Sequence, residues 1–263
     1  IKNGKGEWML VNGNETALLF LYYIITNYKA NGLVKGNEFI VKTIVTTEVI
    51  RKIAEKNHLE MLDVYTGFKW IAREILLAEG KKKYIGGGEE SYGFLAEDFV
   101  RDKDSVSACS LIAEIAAWAK DNGKTLFELI NEIYIEYGFS KEKGVSVVKP
   151  GKSGADEISQ MMINYRKHPL KELGGSPIVL WKDYQSLKQT DGKKTTDLVM
   201  PETSNVLQYF TADETKVSIR PSGTEPKIKF YIEVKGTLEK GKWDEANAKA
   251  DAKIEAVKKS LGI

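Results

Sequence analysis

Apolar residues recur along the chain with two different periods. A helix is predicted from 14 to about 28, opened by Asn14-Glu-Thr16 and closed by Gly32, with Leu18, Leu21, Tyr22 and Ile25 at helical spacing. Residues 39–45 read as a strand, and Thr46 or Thr47 is the expected cap of a helix carrying Val49, Ile50 and Ile53 on one side. A short strand over 59–64 leads through Tyr65-Thr-Gly-Phe-Lys69 into a helix reaching Glu79. Tyr84-Ile85 ends a further strand, and Gly86-Gly-Gly-Glu-Glu-Ser-Tyr-Gly-Phe94 follows as a glycine-rich turn. After the charged turn Arg101-Asp-Lys-Asp104, a long helix to Asp121 is predicted to bury Val106, Cys109, Ile112 and Ala116. Thr125 with Glu128 forms a capping box for the next helix, which ends near Gly138. Strands alternating with helices imply an α/β layered domain over 1–138.

The pattern changes after Gly138. Residues 144–148 form a strand, Ser153 caps a helix through Arg166, and 177–180 is strand-like. The polar stretch 188–196 reads as a loop, and strands follow at 206–210, 216–219 and 228–234. A final helix keeps Trp243, Ala250, Ile254, Val257 and Leu261 on one side. Hairpin strands flanked by helices make residues 139–263 a smaller α+β domain with an antiparallel sheet. At the other end, Gly6-Glu-Trp-Met-Leu-Val11 reads as a strand with no element before it. With no initiator Met, the chain is expected to be a fragment, its first domain truncated by one strand.

Composition narrows the classes. The 263 residues suffice for two modest cores, and 39 Lys+Arg against 37 Asp+Glu leave a net charge of +2. No like-charge run exceeds Lys81-Lys-Lys83, so neither a nucleic acid nor an anionic membrane is indicated as partner. The longest apolar stretch, Ala17-Leu-Leu-Phe-Leu-Tyr-Tyr-Ile-Ile25, is too short to span a bilayer. The single cysteine, Cys109, rules out an internal disulfide and fits a reducing, cytoplasmic compartment.

The candidate chemistry centres on Arg220-Pro-Ser-Gly-Thr-Glu-Pro226, a tight loop between two strands. Arg220 offers a planar fork of donors, Ser222 and Thr224 add hydroxyls, and Gly223 lets the backbone turn and expose its amides. Such a convergence suits a tetrahedral dianion, with phosphate the expected one. Lys227 and Lys229 share one face of the outgoing strand, so at least one adds charge. Two apparent motifs are rejected. Gly151-Lys-Ser153 lacks the first glycine of a P-loop, Ser146 standing there, and His58 and His168 lie too far apart for a histidine-based triad or metal site.

Arg220-Pro-Ser-Gly-Thr-Glu-Pro226 closely resembles the phosphate-binding loop in the C-terminal domain of the α-D-phosphohexomutases, which include phosphoglucomutases and phosphomannomutases. Gly88-Glu-Glu-Ser91 is similar to the sugar-binding loop of the same enzymes' third domain, which implies that Glu89 and Ser91 hold adjacent ring hydroxyls. Thr66-Gly-Phe-Lys69 matches a Thr-Gly loop lining their substrate site, so Thr66, Gly67 and Lys69 inherit a binding role. Arg101-Asp-Lys-Asp104 resembles a turn whose lysine has been suggested as a proton-transfer residue, here Lys103. A lysine acts as base only with its pKa lowered.

The resemblance implies interconversion of hexose 1-phosphate and hexose 6-phosphate through a bisphosphate intermediate. It further implies a phosphoserine in missing N-terminal domains, Mg²⁺ on an Asp-x-Asp-x-Asp loop, and a hexose 1,6-bisphosphate activator. Neither the phosphoserine motif nor the metal loop occurs in this sequence. The chain is therefore expected to supply phosphosugar recognition and to be inactive alone. A standalone phosphosugar-binding module and a phosphopentomutase are the competing expectations.

Overall fold

A computed structural model describes residues 1–263, the side chain of Lys152 excepted. The chain divides into two compact units, Ile1–Phe139 with Thr237–Trp243, and Ser140–Gly236 with Asp244–Ile263.

The first unit alternates helix and strand: α1 (Gly13–Ala30), β1 (Glu38–Thr43), α2 (Val49–Lys56), β2 (Glu60–Val64), α3 (Phe68–Ala78), β3 (Lys83–Gly88), β4 (Phe94–Leu95), α4 (Ser105–Asp121) and α5 (Leu126–Tyr137). Its four-stranded sheet has the order β2-β1-β3-β4, with β2 and β3 parallel to β1 and β4 antiparallel to β3. Phe39, Val41 and Tyr84 pack on one face with Phe68, Ile71 and Ile75 of α3. Gly86 lies on the other face, where an added Cβ would stand 3.1 Å from Leu21 of α1. Local signals account for several helix ends. Asn12 caps α1 in a capping box with Glu15, Asp104 caps α4, and Thr125 caps α5 in the expected box with Glu128.

Four expectations for this unit are corrected. Residues 6–11 form no strand; a single antiparallel bridge joins Lys2 to Trp8, and Leu10 is 92% exposed. A strand needs a partner for its backbone groups, and none is offered there. Gly86, Gly87 and Gly88 are not a turn but the end of β3, because a Cβ at Gly87 would lie 2.0 Å from the Val41 carbonyl oxygen. On α4 the buried residues are Ile115 and Ala119, whereas Val106 and Cys109 are exposed. Spacing alone does not decide which apolar row is buried, and packing rotates the helix onto the next i, i+4 row. The N-cap of α2 is Glu48, which makes no side-chain cap bond; the Thr47 hydroxyl accepts from the Val49 amide at 3.3 Å.

The second unit contains β5 (Phe139–Val148), α6 (Gly151–Lys167), β6 (Glu172–Leu173), β7 (Ser176–Asp183), β8 (Lys188–Thr190), β9 (Thr195–Asp197), β10 (Leu207–Thr211), β11 (Lys216–Pro221), β12 (Lys227–Gly236) and α7 (Trp243–Leu261). The strands follow the order β5-β12-β11-β10-β7-β8-β9, with β6 beside β7. Alternation along β11 and β12 separates two faces. Val217, Ile219, Ile228, Phe230, Ile232 and Val234 form the buried apolar face, onto which the Tyr209 hydroxyl donates to the Tyr165 carbonyl of α6 at 3.2 Å. Ser218, Lys216, Glu233 and Arg220 lie on the opposite face.

Two further expectations change here. The stretch 188–196 is a hairpin: Asp191 Oδ1 accepts from the Lys193 and Lys194 amides at 3.0 and 2.8 Å, and the Thr190 and Thr195 hydroxyls meet at 2.9 Å. The threonines pair across strands despite the polar composition. Helix α6 starts at Gly151 behind Pro150, whose φ of −67° already suits a helix entry, so Ser153 lies inside the first turn and caps nothing.

Candidate functional site

In the first unit, the carboxyl ends of β2 and β3 flank that of β1, where open α/β sheets place their ligands. Strand β3 hands over to a five-residue connection, 89–93, before β4. The Glu89 amide donates to the Gly93 carbonyl at 2.7 Å, and Tyr92 takes a φ of 69° to close the turn. Glu89 is buried, 8% exposed, yet one of its oxygens is already engaged: the Gly67 amide donates to Oε1 at 2.7 Å. Gly67 is the N-cap of α3 at φ 110°, a conformation that favours glycine and turns this amide toward β3. Oε2 faces Lys103 Nζ at 4.0 Å, and that ammonium lies 5.4 Å from the Phe68 ring centre.

Gly67, Glu89 and Lys103 are thus brought together, while the other expected residues are placed differently. Ser91 is exposed on the same loop, and Thr66 is half-buried beside Gly67. Lys69 is exposed and lies over the Trp70 ring at 4.7 Å. The sequence reading passed over Glu90. Its Oε2 accepts from the Thr43 hydroxyl at 3.2 Å and lies 3.5 Å from that of Thr46. Only the adjacency of Glu90 to Glu89 in sequence signalled it.

In the second unit, Arg220, Pro221, Ser222, Gly223, Thr224, Glu225, Lys227 and Lys229 line a cavity of about 350 Å³. Arg220 stands directly across from Lys229 in the β11–β12 register. Like charges so placed repel each other. Among the described residues, neither side chain has a hydrogen-bond or ion-pair partner. Ser222 braces the loop instead of standing free: its Oγ accepts from the Thr224 and Glu225 amides at 3.4 and 3.3 Å. Gly223 departs from expectation in one respect. Its φ is not positive, and an added Cβ would meet nothing within 4 Å, so the free loop does not use the freedom of glycine. Glu225, not singled out from the sequence, pairs with Lys227.

The family model described as phosphoglucomutase/phosphomannomutase, alpha/beta/alpha domain III, matches residues 12–137, and that of the C-terminal domain matches 182–250. The chain belongs to the phosphoglucomutase/phosphomannomutase family. A phosphoglucomutase of Staphylococcus aureus is 36% identical over 232 residues, covering 88% of this chain and 41% of the relative. One from Staphylococcus haemolyticus is 31% identical over 235 residues. The chain therefore spans about 41% of the length of these curated relatives.

Solved structures agree on the fold of this family member. Parafusin, a phosphoglucomutase from Paramecium in its open form, superposes with a TM-score of 0.63 at 16% identity, over 98% of this chain and 42% of that one. A phosphoglucomutase/phosphomannomutase family protein from Burkholderia thailandensis gives 0.55 at 14% identity, over 97% and 43%. The α/β unit followed by an antiparallel-sheet unit with helices is the fold expected from the sequence. Among the described residues, no group of three or more His, Cys, Asp or Glu side chains could hold a metal ion. The described residues therefore do not fit Mg²⁺. No helix among them is long and apolar enough to cross a membrane.

Proposed function

We propose that this chain is the recognition part of a phosphohexomutase that interconverts hexose 1-phosphate and hexose 6-phosphate through a bisphosphate intermediate. The first unit reads the sugar. Glu89, oriented by Gly67, accepts hydrogen bonds from ring hydroxyls, with Ser91 as its neighbour and Thr66 lining the same edge. Lys103 supplies positive charge beside Glu89 and is the candidate proton-transfer group. The second unit holds the phosphate through Arg220, Lys229 and the Ser222–Gly223–Thr224 backbone and hydroxyls.

One observation carries this reading: two cations face each other across β11 and β12 beside an open cavity, neither hydrogen-bonded nor ion-paired to a side chain among the described residues. A dianion relieves that repulsion and matches the fork of Arg220. The phosphoryl-transferring serine and the Mg²⁺ ligands belong, in this proposal, to the portion of the relatives that the chain does not span, and hexose 1,6-bisphosphate is the activator of the complete enzyme. The chain alone is expected to bind phosphosugar without turnover.

The test is a titration of the 263-residue chain with glucose 1-phosphate and with inorganic phosphate, followed by amide chemical shifts. Both ligands should move Gly223 and Thr224, and only the sugar phosphate should also move Gly67 and Ser91. Saturating ligand that leaves Gly223 and Thr224 unmoved would remove the assignment.

A further inference from the structure

The cavity beside Arg220 contains its own anion. Three cations, Arg220, Lys227 and Lys229, line it together with one carboxylate, Glu225. Strand alternation puts Lys227 and Lys229 on the same face of β12, and Arg220 opposes Lys229, so all three cations project from one face of the sheet. They are not equally available. Arg220 and Lys229 have no ion-pair partner among the described residues, whereas Lys227 is joined to Glu225. The turn favours that pair, because the Lys227 amide donates to the Glu225 carbonyl at 2.7 Å and holds the two residues at one end of the loop.

We propose that Glu225 is a built-in competitor for the phosphate, occupying Lys227 and limiting the loop's grip on the ligand to Arg220, Lys229 and the hydroxyls and amides between them. This rests on the phosphate-loop reading above and adds to it an affinity-setting residue. The bond from Lys227, the field of the same ammonium and, after these, the field of Lys229 hold the Glu225 carboxyl below the usual carboxylate range, so it is charged wherever a phosphate is a dianion. Glu225 is exposed and the pair is therefore weak, which lets an incoming anion displace it at modest cost. A ceiling on affinity suits a site that must release one end of a bisphosphate and accept the other. A uniformly tighter grip would hold substrate, intermediate and product alike and slow their exchange.

Inorganic phosphate is titrated into the 263-residue chain at fixed pH and ionic strength, with Gly223 and Thr224 amide shifts as readout. Glu225→Gln is expected to bind phosphate about two- to fivefold tighter than the unmodified chain. The gain should be reduced or lost when Lys227→Gln is added, because the released lysine is its source. Unchanged or weaker binding by Glu225→Gln overturns the proposal, as does a gain undiminished by Lys227→Gln. Arg220→Ala separates the two levels. If it loses phosphate binding while Glu225→Gln changes nothing, the competitor falls and the phosphate loop stands. If Arg220→Ala binds phosphate as well as the unmodified chain, the loop assignment falls and takes the competitor with it.

Discussion

The loop 89–93 of the first unit and the loop 220–227 of the second are assembled on opposite plans. In the first, the key carboxylate is buried, one of its oxygens is fixed by the Gly67 amide, and the strand leading to it is locked by glycines under neighbouring carbonyls. In the second, the key cations are half-buried, have no hydrogen-bond or ion-pair partner among the described residues, and sit beside a loop whose residues 223–225 are exposed. The difference fits what each loop is proposed to hold. A neutral hydroxyl competes poorly with water unless its acceptor is already aimed, since a net hydrogen bond is worth only about 0.5–1.5 kcal/mol. A phosphate brings its own charge, so a loop that merely concentrates unneutralised cations attracts it before its geometry is perfect. In the proposed division, preorganisation serves the sugar side, and unspent charge serves the phosphate side.

The comparison breaks most sharply at Arg220. Arg220→Ala in the complete enzyme is expected to lower kcat/KM for hexose phosphate by about 2–4 kcal/mol, roughly 30- to 1000-fold, because it removes charge-assisted bonds to a desolvated phosphate. Steady-state kinetics indistinguishable from the unmodified enzyme would end the phosphate-loop reading. On the other loop, Glu89→Gln keeps an oxygen for the Gly67 amide but loses the charge. It should weaken use of hexose 1-phosphate by about 1.5–3 kcal/mol while leaving binding of inorganic phosphate to the chain nearly intact. Equal loss of both ligands would point to misfolding or a misplaced sugar site.

Two glycines sharpen the contrast. At φ 110° a side chain at Gly67 is strained, so Gly67→Ala should cost about 1–3 kcal/mol of stability, read as a lower denaturant midpoint. The same variant should also weaken sugar-phosphate binding by shifting the amide that aims Glu89. Gly223→Ala has neither backbone strain nor a neighbour within 4 Å of the new Cβ, and its stability should stay within about 0.5 kcal/mol of the unmodified chain. A large destabilisation there would mean that the free loop depends on its glycine. Ser91→Ala is the mildest change, because an exposed hydroxyl is removed. A loss of about 0.5–1.5 kcal/mol in sugar-phosphate affinity with unchanged stability is expected, and calorimetric titration checks it.

Much of this was legible in the residue order, and the reason is range. The capping box of Thr125 and Glu128 is a bond between neighbours three positions apart, so its pattern alone predicts α5. The Arg220–Pro226 motif carries its donors within one turn, and the alternation from Ile228 to Val234 places the following strand on the apolar core. Failures share the opposite property. Whether three consecutive glycines are a turn or a strand depends on the Val41 carbonyl of a different strand, and which stripe of α4 is buried depends on the helices it meets. The partner of Glu89 lies 22 residues away at Gly67. Local hydrogen bonds and alternation are properties of the chain, and the sequence by itself determined those. Close approach, burial and the engagement of charged groups are properties of what the fold brings beside them, and only the tertiary structure decided that Glu89 is already held while Arg220 is not.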